Sequence, residues 1–581
     1  MELLGKGVSP GIAVGEALLV EREAVPVFRL LLGPDLVESE VHRLRRAVEV
    51  SQAQLRAIKD RLSLEVGSLH AYIFDAQLLM LDDPLLVDRT VAVIREEHLN
   101  AAWALRAVAE QLHELFDDFG DAYLRERRTD LDDVLGRLQL NLAGAQDAPS
   151  LSRLPRPSVL VARDITPSEA GELDWERVLA VVTDHGSPSS HTAILARSRG
   201  VPAVVGLKDA TRRIPAGALV VVDGDLGRVE VEPSQPALVN YREAQQRAEV
   251  EEQRLIGTRT LPAVTRDGVT LCLQANAEFP EEARSGALYG AQGIGLFRSE
   301  YLLGRSRDFP SEQRQVDVYL GLLEAVRPYP VTVRTWDVGR EDLAPGGPSS
   351  PNPALGERAL RLLTRDPAPF LNQVRALLRT ALEGPIRIMF PFVSGPRDLH
   401  LARELVARAA ESLAREGMPH RSDVPVGVTL ELPSAALTVD LLAREADFFS
   451  VGTNDLIQYL LAVDRVDPRV ARLYEPLHPG VVRTLQRIAD AAAAAGRPLS
   501  VCGEMASDPL QALLLMGLGV RELSMSPHAI PRVKAVLRSV AAAEARQAAL
   551  ECLDLATASE IEDHLRRRLG VAPGASLVAS S

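Results

Sequence analysis

Apolar and polar positions alternate differently in different stretches of the 581-residue chain, and the changes divide it. Residues 1–20 contain KGVSPGIAVGEALLV and read as short strands around a Gly-rich turn. From Asp35 to about Leu62, apolar residues fall at Leu36, Val37, Val41, Leu44, Val48, Leu55 and Ile58, a mostly helical spacing. Helical segments follow near 68–82, 85–97, 100–118 and 121–143, and together these predict a bundle of long hairpins. Strand patterns return at Ser158–Ala162, VLAVVTD and LVVVDG. If residues 1–20 pair with those strands, one α/β domain (1–20 plus 146–232) carries the helical bundle (21–145) as an insertion. The stretch PALVNYREAQQRAEVEEQRL is polar nearly all round. Such a helix bridges domains more often than it fills a core, so 233–261 reads as a linker.

After about residue 262 a regular alternation begins. β-Branched apolar runs occur at VTLCLQAN, GIGLFRSE, VTVRTWDV, IRIMFPFV, VPVGVTLE, FFSVGTND, LSVCGEM and ELSMS, with helical segments between most of them. This pattern predicts a (β/α)8 barrel over 262–545, followed by a C-terminal helix and tail over 546–581. Gly570–Ser581 is small and polar and reads as a frayed end.

Length and charge sharpen the picture. The chain is too long for one core, which agrees with several domains. Its net charge of -14 argues against nucleic acid or an anionic membrane as a partner and favours a partner protein with a basic patch. No run of roughly 18 apolar residues occurs, and Met1–Gly15 is no signal peptide. Cys272, Cys502 and Cys552 are far apart and form no CxxC pair, as expected of a protein in the reducing cytoplasm; core packing is the simplest use of each.

Active sites of such barrels lie at the C-terminal strand ends. Polar residues collect there: Asn276, Arg298, Glu300, Arg334, Asp337, Glu431, Asn454, Asp455 and Cys502. Arginine grips phosphate and carboxylate in bidentate fashion. Glu431 and Asp455 are hard oxygen ligands of the kind magnesium takes. Salt bridges closing the barrel top would explain any one of these residues, but not the whole set.

A second constellation is GSPSSHTAILARSRGVPAVVG, Gly186–Gly206, where a small-residue loop runs into a helical pattern with His191 at the junction. Backbone N–H groups at a helix start can hold a phosphoryl group, and a neutral histidine is a competent nucleophile toward phosphorus. On loop chemistry alone, a histidine that caps the helix is equally well supported. His185 reads as structural or solvent-exposed. GAQGIG at 290–295 enters a strand rather than leaving one, so it is no dinucleotide fingerprint, and no GxxxxGK[ST] occurs.

The stretches SSHTAILAR, GIGLFRSEYLL, VRTWDVG, RIMFPFV, FFSVGTNDLIQYLLAVDR and VCGEMASDP resemble enzyme I of the phosphoenolpyruvate-dependent sugar phosphotransferase system, in one order over nearly the whole chain. Pyruvate phosphate dikinase and phosphoenolpyruvate synthase share the mobile histidine domain and the barrel but add a large nucleotide-binding domain, for which this chain has no room. The resemblance implies a swivelling phosphohistidine α/β domain with an inserted helical bundle that docks the small phosphocarrier HPr, followed by a phosphoenolpyruvate-binding barrel that forms a homodimer. It implies that His191 is phosphorylated and that Arg298 and Arg334 hold the substrate phosphate. Arg465 orients the substrate, Asn454 contacts it, and Arg358 is a further site arginine. Glu431 and Asp455 would bind magnesium, with manganese as a substitute. Cys502 would protonate the enolate carbon as pyruvate forms, a task that suits a thiol.

Two departures stand out. The family places a threonine after TPSE, where this chain has Ala170, so fixing the histidine tautomer falls to Ser189 or Ser190. The family also continues DIG with Gly-Asp-Lys, where this chain reads DVGRED, with Arg340 in place to substitute for the lysine. Two rivals share these motifs. One is a regulatory relay that signals nitrogen or carbon status; such relatives often carry an N-terminal sensor domain, which this chain is expected to lack. The other is a non-catalytic module that senses phosphoenolpyruvate; intact His191, Glu431, Asp455 and Cys502 argue against it.

Overall fold

The computed structural model describes the chain except residues 21–25, 66–72, 118–121, 145–153, 155, 187–189, 304–308, 340–351, 364, 466, 468 and 572–581. Two compact units emerge, with the division at 249/250. That point lies inside the helix Gln235–Gly257, the polar stretch expected to link domains.

In the first unit, strands β1 (Glu2–Leu4), β2 (Lys6–Ser9) and β3 (Ile12–Val20) join β4 (Ser158–Ala162), β5 (Val178–Thr183), β6 (Ala203–Val205), β7 (Leu219–Asp223) and β8 (Arg228–Val231). They form one eight-stranded sheet in the order β1-β8-β7-β3-β4-β5-β6-β2. The opening strands therefore do pair with the later ones. Ala17–Val20 of β3 runs parallel to and hydrogen-bonds Val159–Ala162 of β4. Parallel neighbours require a crossover, and here the crossover contains the whole helical bundle.

The described bundle consists of Val37–Glu65, Ile73–Asp82, Val87–Glu97, Ala101–Asp117 and Ala122–Ala143. Val37, Val41, Leu44, Val48, Leu55 and Ile58 are buried in its core, as their spacing predicts. Leu36 is not: it ends a 3-10 turn, Pro34–Leu36, before the helix proper, so it falls out of phase and is 52% exposed. Part of the segment expected at 68–82 lies outside the described residues.

Buried and half-buried polar contacts fasten the bundle to the sheet domain. Asp133 Oδ2 accepts from Gln77 Nε2 at 2.8 Å and from the Ser168 N–H at 3.0 Å. Arg137 pairs with Glu172 at 3.0 Å. Both contacts meet the short helix Pro167–Glu172, whose start is fixed by a capping box between Thr166 and Glu169.

The second unit is a closed barrel of eight parallel strands. They are β9 (Cys272–Ala277), β10 (Ile294–Arg298), β11 (Val331–Arg334), β12 (Ile386–Phe390), β13 (Val426–Leu430), β14 (Phe448–Val451), β15 (Leu499–Val501) and β16 (Glu522–Met525). Seven lie within the apolar runs singled out in the sequence, and β9 extends one residue past its run, to Ala277. β13 and β14 are buried throughout, as strands covered on both faces must be. GAQGIG does enter a strand: Gly293, at φ +109°, turns the chain into β10. Among the described residues the three cysteines are free thiols, and no helix is long and apolar enough to cross a membrane. The final helix ends at Leu569, capped by Gly570 in the left-handed conformation. Most of the tail expected to fray lies outside the described residues.

Candidate active site

The barrel mouth is built from residues at or just past the strand ends. Arg298 closes β10, and its Nη1 meets Glu278 Oε1 at 2.8 Å. Arg334 closes β11; its Nη2 reaches Glu300 Oε1 at 2.5 Å and its Nη1 reaches Asp337 Oδ2 at 3.1 Å. Arg358 comes from the loop after β11, where Gly339 and Arg358 form an isolated bridge. It grips Asp337 through Nε at 3.0 Å and Nη2 at 2.8 Å. Burial lowers the charge preference of these guanidiniums, but the surrounding carboxylates outweigh it, so Arg298, Arg334 and Arg358 are all held more firmly protonated than usual.

Glu431 follows directly after β13 and is 1% exposed. Its Oε1 accepts from the Phe392 N–H. Burial first, then the nearby charges of Asp337 and Asp455, push its carboxyl up to about 8. Glu300 is likewise raised, chiefly by burial.

Asn454 and Asp455 lie in the first turn of the helix Thr453–Leu461, which starts just after β14. Asp455 pairs with Arg465 at 3.7 Å. Arg465 follows the left-handed Ala462 that ends that helix, and its N–H donates to Gln458 Oε1 at 3.4 Å. Asn454 Oδ1 accepts from the Glu504 N–H at 2.8 Å, which ties this helix to the loop after β15.

Cys502 opens that loop and packs with Leu296, Met389 and Phe448 in a small apolar cluster. Its N–H and Sγ both reach the Val451 carbonyl, at 3.1 and 3.7 Å, and its own carbonyl accepts from Asn276 Nδ2 at 3.0 Å. Gly503 makes this path possible, because a Cβ there would lie 1.9 Å from Thr453 Oγ1. Burial raises the Cys502 thiol above its ordinary value, so at neutral pH it keeps its proton.

The expected barrel residues therefore share one mouth. Arg334 and Glu431 both act on the Cys502 thiol, and Asp455 and Glu431 both act on Arg358. The salt bridges that offered a purely structural account are real: Glu300, Arg334, Asp337 and Arg358 form one linked group, with Arg298–Glu278 and Arg465–Asp455 as separate pairs. Reading the sequence missed Glu278 and Phe392. Glu278 carried a weak signal, a charge just past β9 like those past the other strands; Phe392 carried none.

For metal binding, Glu431 and Asp455 supply two hard oxygen donors close enough to raise Glu431 together with Asp337. A carboxylate that resists ionisation beside like charges fits a site where a cation belongs. Among the described residues no group of three or more His, Cys, Asp or Glu side chains is placed to hold a metal ion.

His191 belongs to the first unit and opens the helix His191–Ser198. The cap is Ser190, whose hydroxyl accepts from the Ala193 N–H at 3.4 Å. The capping role that would have explained the histidine structurally is therefore already filled. Thr192 Oγ1 donates to the Ile165 carbonyl at 2.9 Å, anchoring the helix start to the residue just before the TPSEA segment, Thr166–Ala170. Within that segment Ala170 is fully buried and its carbonyl accepts from Trp175 Nε1 at 3.0 Å, so its contribution is packing and a backbone acceptor. Of the serines expected to orient the histidine, Ser190 is engaged as the cap and Ser189 lies outside the described residues, as do Arg340, Glu341 and Asp342.

Comparison with known proteins gives the following. Models of the N-terminal, mobile and PEP-binding domains of PEP-utilising enzymes match residues 4–127, 154–227 and 252–542. The phosphoenolpyruvate-protein phosphotransferase of Cupriavidus necator is 40% identical over 548 residues, covering 92% of this chain and 93% of its own. Those of Staphylococcus epidermidis and Geobacillus stearothermophilus are 36% and 37% identical, covering 97% and 98% of this chain and 99% and 98% of theirs.

Proposed function

The chain belongs to the phosphoenolpyruvate-utilising enzymes and is a phosphotransferase, and we propose that it passes the phosphoryl group of phosphoenolpyruvate through His191 to a histidine of an HPr-type phosphocarrier, as the first step of sugar uptake. The observation that carries this reading is the convergence of Arg298, Arg334 and Arg358 with Glu431, Asp455 and a protonated, buried Cys502 at one barrel mouth.

Phosphoenolpyruvate carries a phosphate, a carboxylate and an enol carbon awaiting a proton, and each finds a suitable group there. Arg298 and Arg334 hold the phosphate; Arg358, Arg465 and Asn454 orient the rest. A neutral His191 nitrogen attacks phosphorus, so an N–P bond forms as the bond to the enol oxygen breaks. The electrons of that bond leave as pyruvate enolate. Cys502 gives its proton to the methylene carbon, pyruvate departs, and the thiol regains a proton from solvent. Phosphohistidine then gives up the phosphoryl group to the acceptor histidine.

Members of this family use a divalent metal. Glu431 and Asp455 would hold it here, and the ion would neutralise charge on the phosphate and the developing enolate. Magnesium is the ion these oxygen donors suit, with manganese as a substitute. A net charge of -14 suits a phosphocarrier with a basic face, and cysteines kept as free thiols suit the cytoplasm. We further take the barrel unit to be the homodimer contact.

The test is incubation with labelled phosphoenolpyruvate and magnesium, followed by a panel of purified HPr-type carriers. Label on His191 that passes to a carrier supports the reading. Binding of phosphoenolpyruvate without any labelled protein would reduce the chain to a sensor.

A further inference from the structure

Phe392 stands two residues past β12 and has an unusual backbone for a bulky side chain: its φ is +58°, in the left-handed region. Such a residue persists only where its surroundings fix it, and these places cluster at functional sites. Here the turn delivers the Phe392 N–H to Oε1 of Glu431.

The ring is fixed from the other side. It is buried, with Arg358 Cζ 4.9 Å and Arg361 Cζ 4.6 Å from its centroid. Tyr459 meets it edge-on with centroids 6.1 Å apart, and the Tyr459 hydroxyl donates to the Ala354 carbonyl at 2.6 Å. Arg361 Nη1 donates to the carbonyls of Leu355 and Gly356 at 2.8 and 3.0 Å. Contacts from Ala354 to Arg361, the described stretch that carries Arg358, thus gather at a single aromatic ring. A π face attracts a guanidinium without using any of its in-plane N–H donors. Asp337 takes the Nε and Nη2 side of Arg358, so the ring can orient the group while leaving donor capacity for an anion.

We propose that Phe392 is a positioning residue for phosphoenolpyruvate, its ring bracing Arg358 toward the substrate anion while its left-handed backbone steadies Glu431. This rests on the assignment of Arg358 to substrate given above.

The test compares Phe392→Leu, Arg358→Lys and the double variant in the full-length protein. The leucine keeps an apolar side chain and the backbone N–H but removes the π face. We expect KM for phosphoenolpyruvate to rise about tenfold with kcat within about twofold. Because Phe392 acts through Arg358, the double variant should have a KM no higher than Arg358→Lys alone. Calorimetry with manganese alone should give an affinity within about twofold of the parent, since the N–H to Glu431 remains. If the leucine variant does not fold, Phe392→Met serves in its place, being equally without a π face and a swap that cores usually accommodate.

An unchanged KM in the Phe392 variant beside a raised KM in Arg358→Lys overturns the proposal alone. Additive effects in the double variant, or a manganese affinity that falls along with substrate binding, overturn it too, because Phe392 would then merely hold the mouth together. An unchanged KM in Arg358→Lys removes the substrate role of Arg358, and the proposal falls with it.

Discussion

Asp337 is the common partner of two arginines: Arg358 holds it through Nε and Nη2, and Arg334 reaches it at 3.1 Å, with only 2% of the aspartate side chain exposed. The guanidiniums are thus arranged before any substrate arrives. Preorganisation of this kind removes the cost of gathering like charges at the moment of binding.

Asp337→Asn should therefore damage both stability and substrate binding. Removing one member of a buried ion cluster leaves the others undercompensated, at a cost of about 3 kcal/mol. Chemical denaturation checks that value, and steady-state kinetics should show KM for phosphoenolpyruvate raised at least tenfold. A variant with parental stability and KM would mean that the carboxylate neither holds nor aims the arginines.

His191→Ala should abolish labelling by phosphoenolpyruvate yet leave its binding nearly intact, because the barrel residues belong to the other unit. Autoradiography and calorimetry read the two properties separately. A labelled His191→Ala protein would assign the phosphoryl group elsewhere.

Much of this was legible in the sequence, and what was missed has physical causes. Glu431 and Cys502 stood out because a charge or a thiol at the end of an apolar run violates the pattern around it. The barrel strands stood out because strands covered on both faces are largely apolar. Leu36 was misplaced because periodicity cannot show where a 3-10 turn gives way to a helix one residue later. Ser190 took the capping role because its hydroxyl reaches the N–H three residues on, and loop composition alone could not separate it from His191. Phe392 was invisible: nothing in a phenylalanine signals a positive φ, and its partners Arg358 and Glu431 lie far away in the chain.

Cys502→Ala should slow turnover about a hundredfold or more, the usual worth of a positioned acid. The loss should fall on enolate protonation. In deuterium oxide the parent should deliver deuterium to one face of the enolate, and the variant should lose that preference, since solvent then supplies the proton. Chirality analysis of pyruvate made from phosphoenolpyruvate stereospecifically labelled at its methylene carbon reads this out. Retained facial selectivity would transfer the proton-donor role to another residue.

The last prediction joins pH, metal and stability through Glu431. Its carboxyl is pushed up to about 8, by burial first and by Asp337 and Asp455 next, whereas an unfolded glutamate titrates at about 4.3. Because the folded value is the higher one, the folded metal-free protein holds a proton that the unfolded chain gives up. The stabilisation from this difference is fully present below about pH 4.3 and is lost as pH rises through about 8. Metal-free protein should therefore melt at progressively lower temperature across that window, so far as this group governs it. A divalent ion needs the ionised carboxylate, so binding must expel the proton. Metal affinity should rise with pH by up to tenfold per unit below about 8 and level off above it. Manganese calorimetry in buffers of different ionisation enthalpy measures both the affinity and the proton released. Glu431→Gln, which cannot ionise, should bind weakly and release no proton from this position. A parental affinity that stays flat between about pH 6 and 8, with no proton released, would show that Glu431 is already ionised and that the cluster does not wait for a cation.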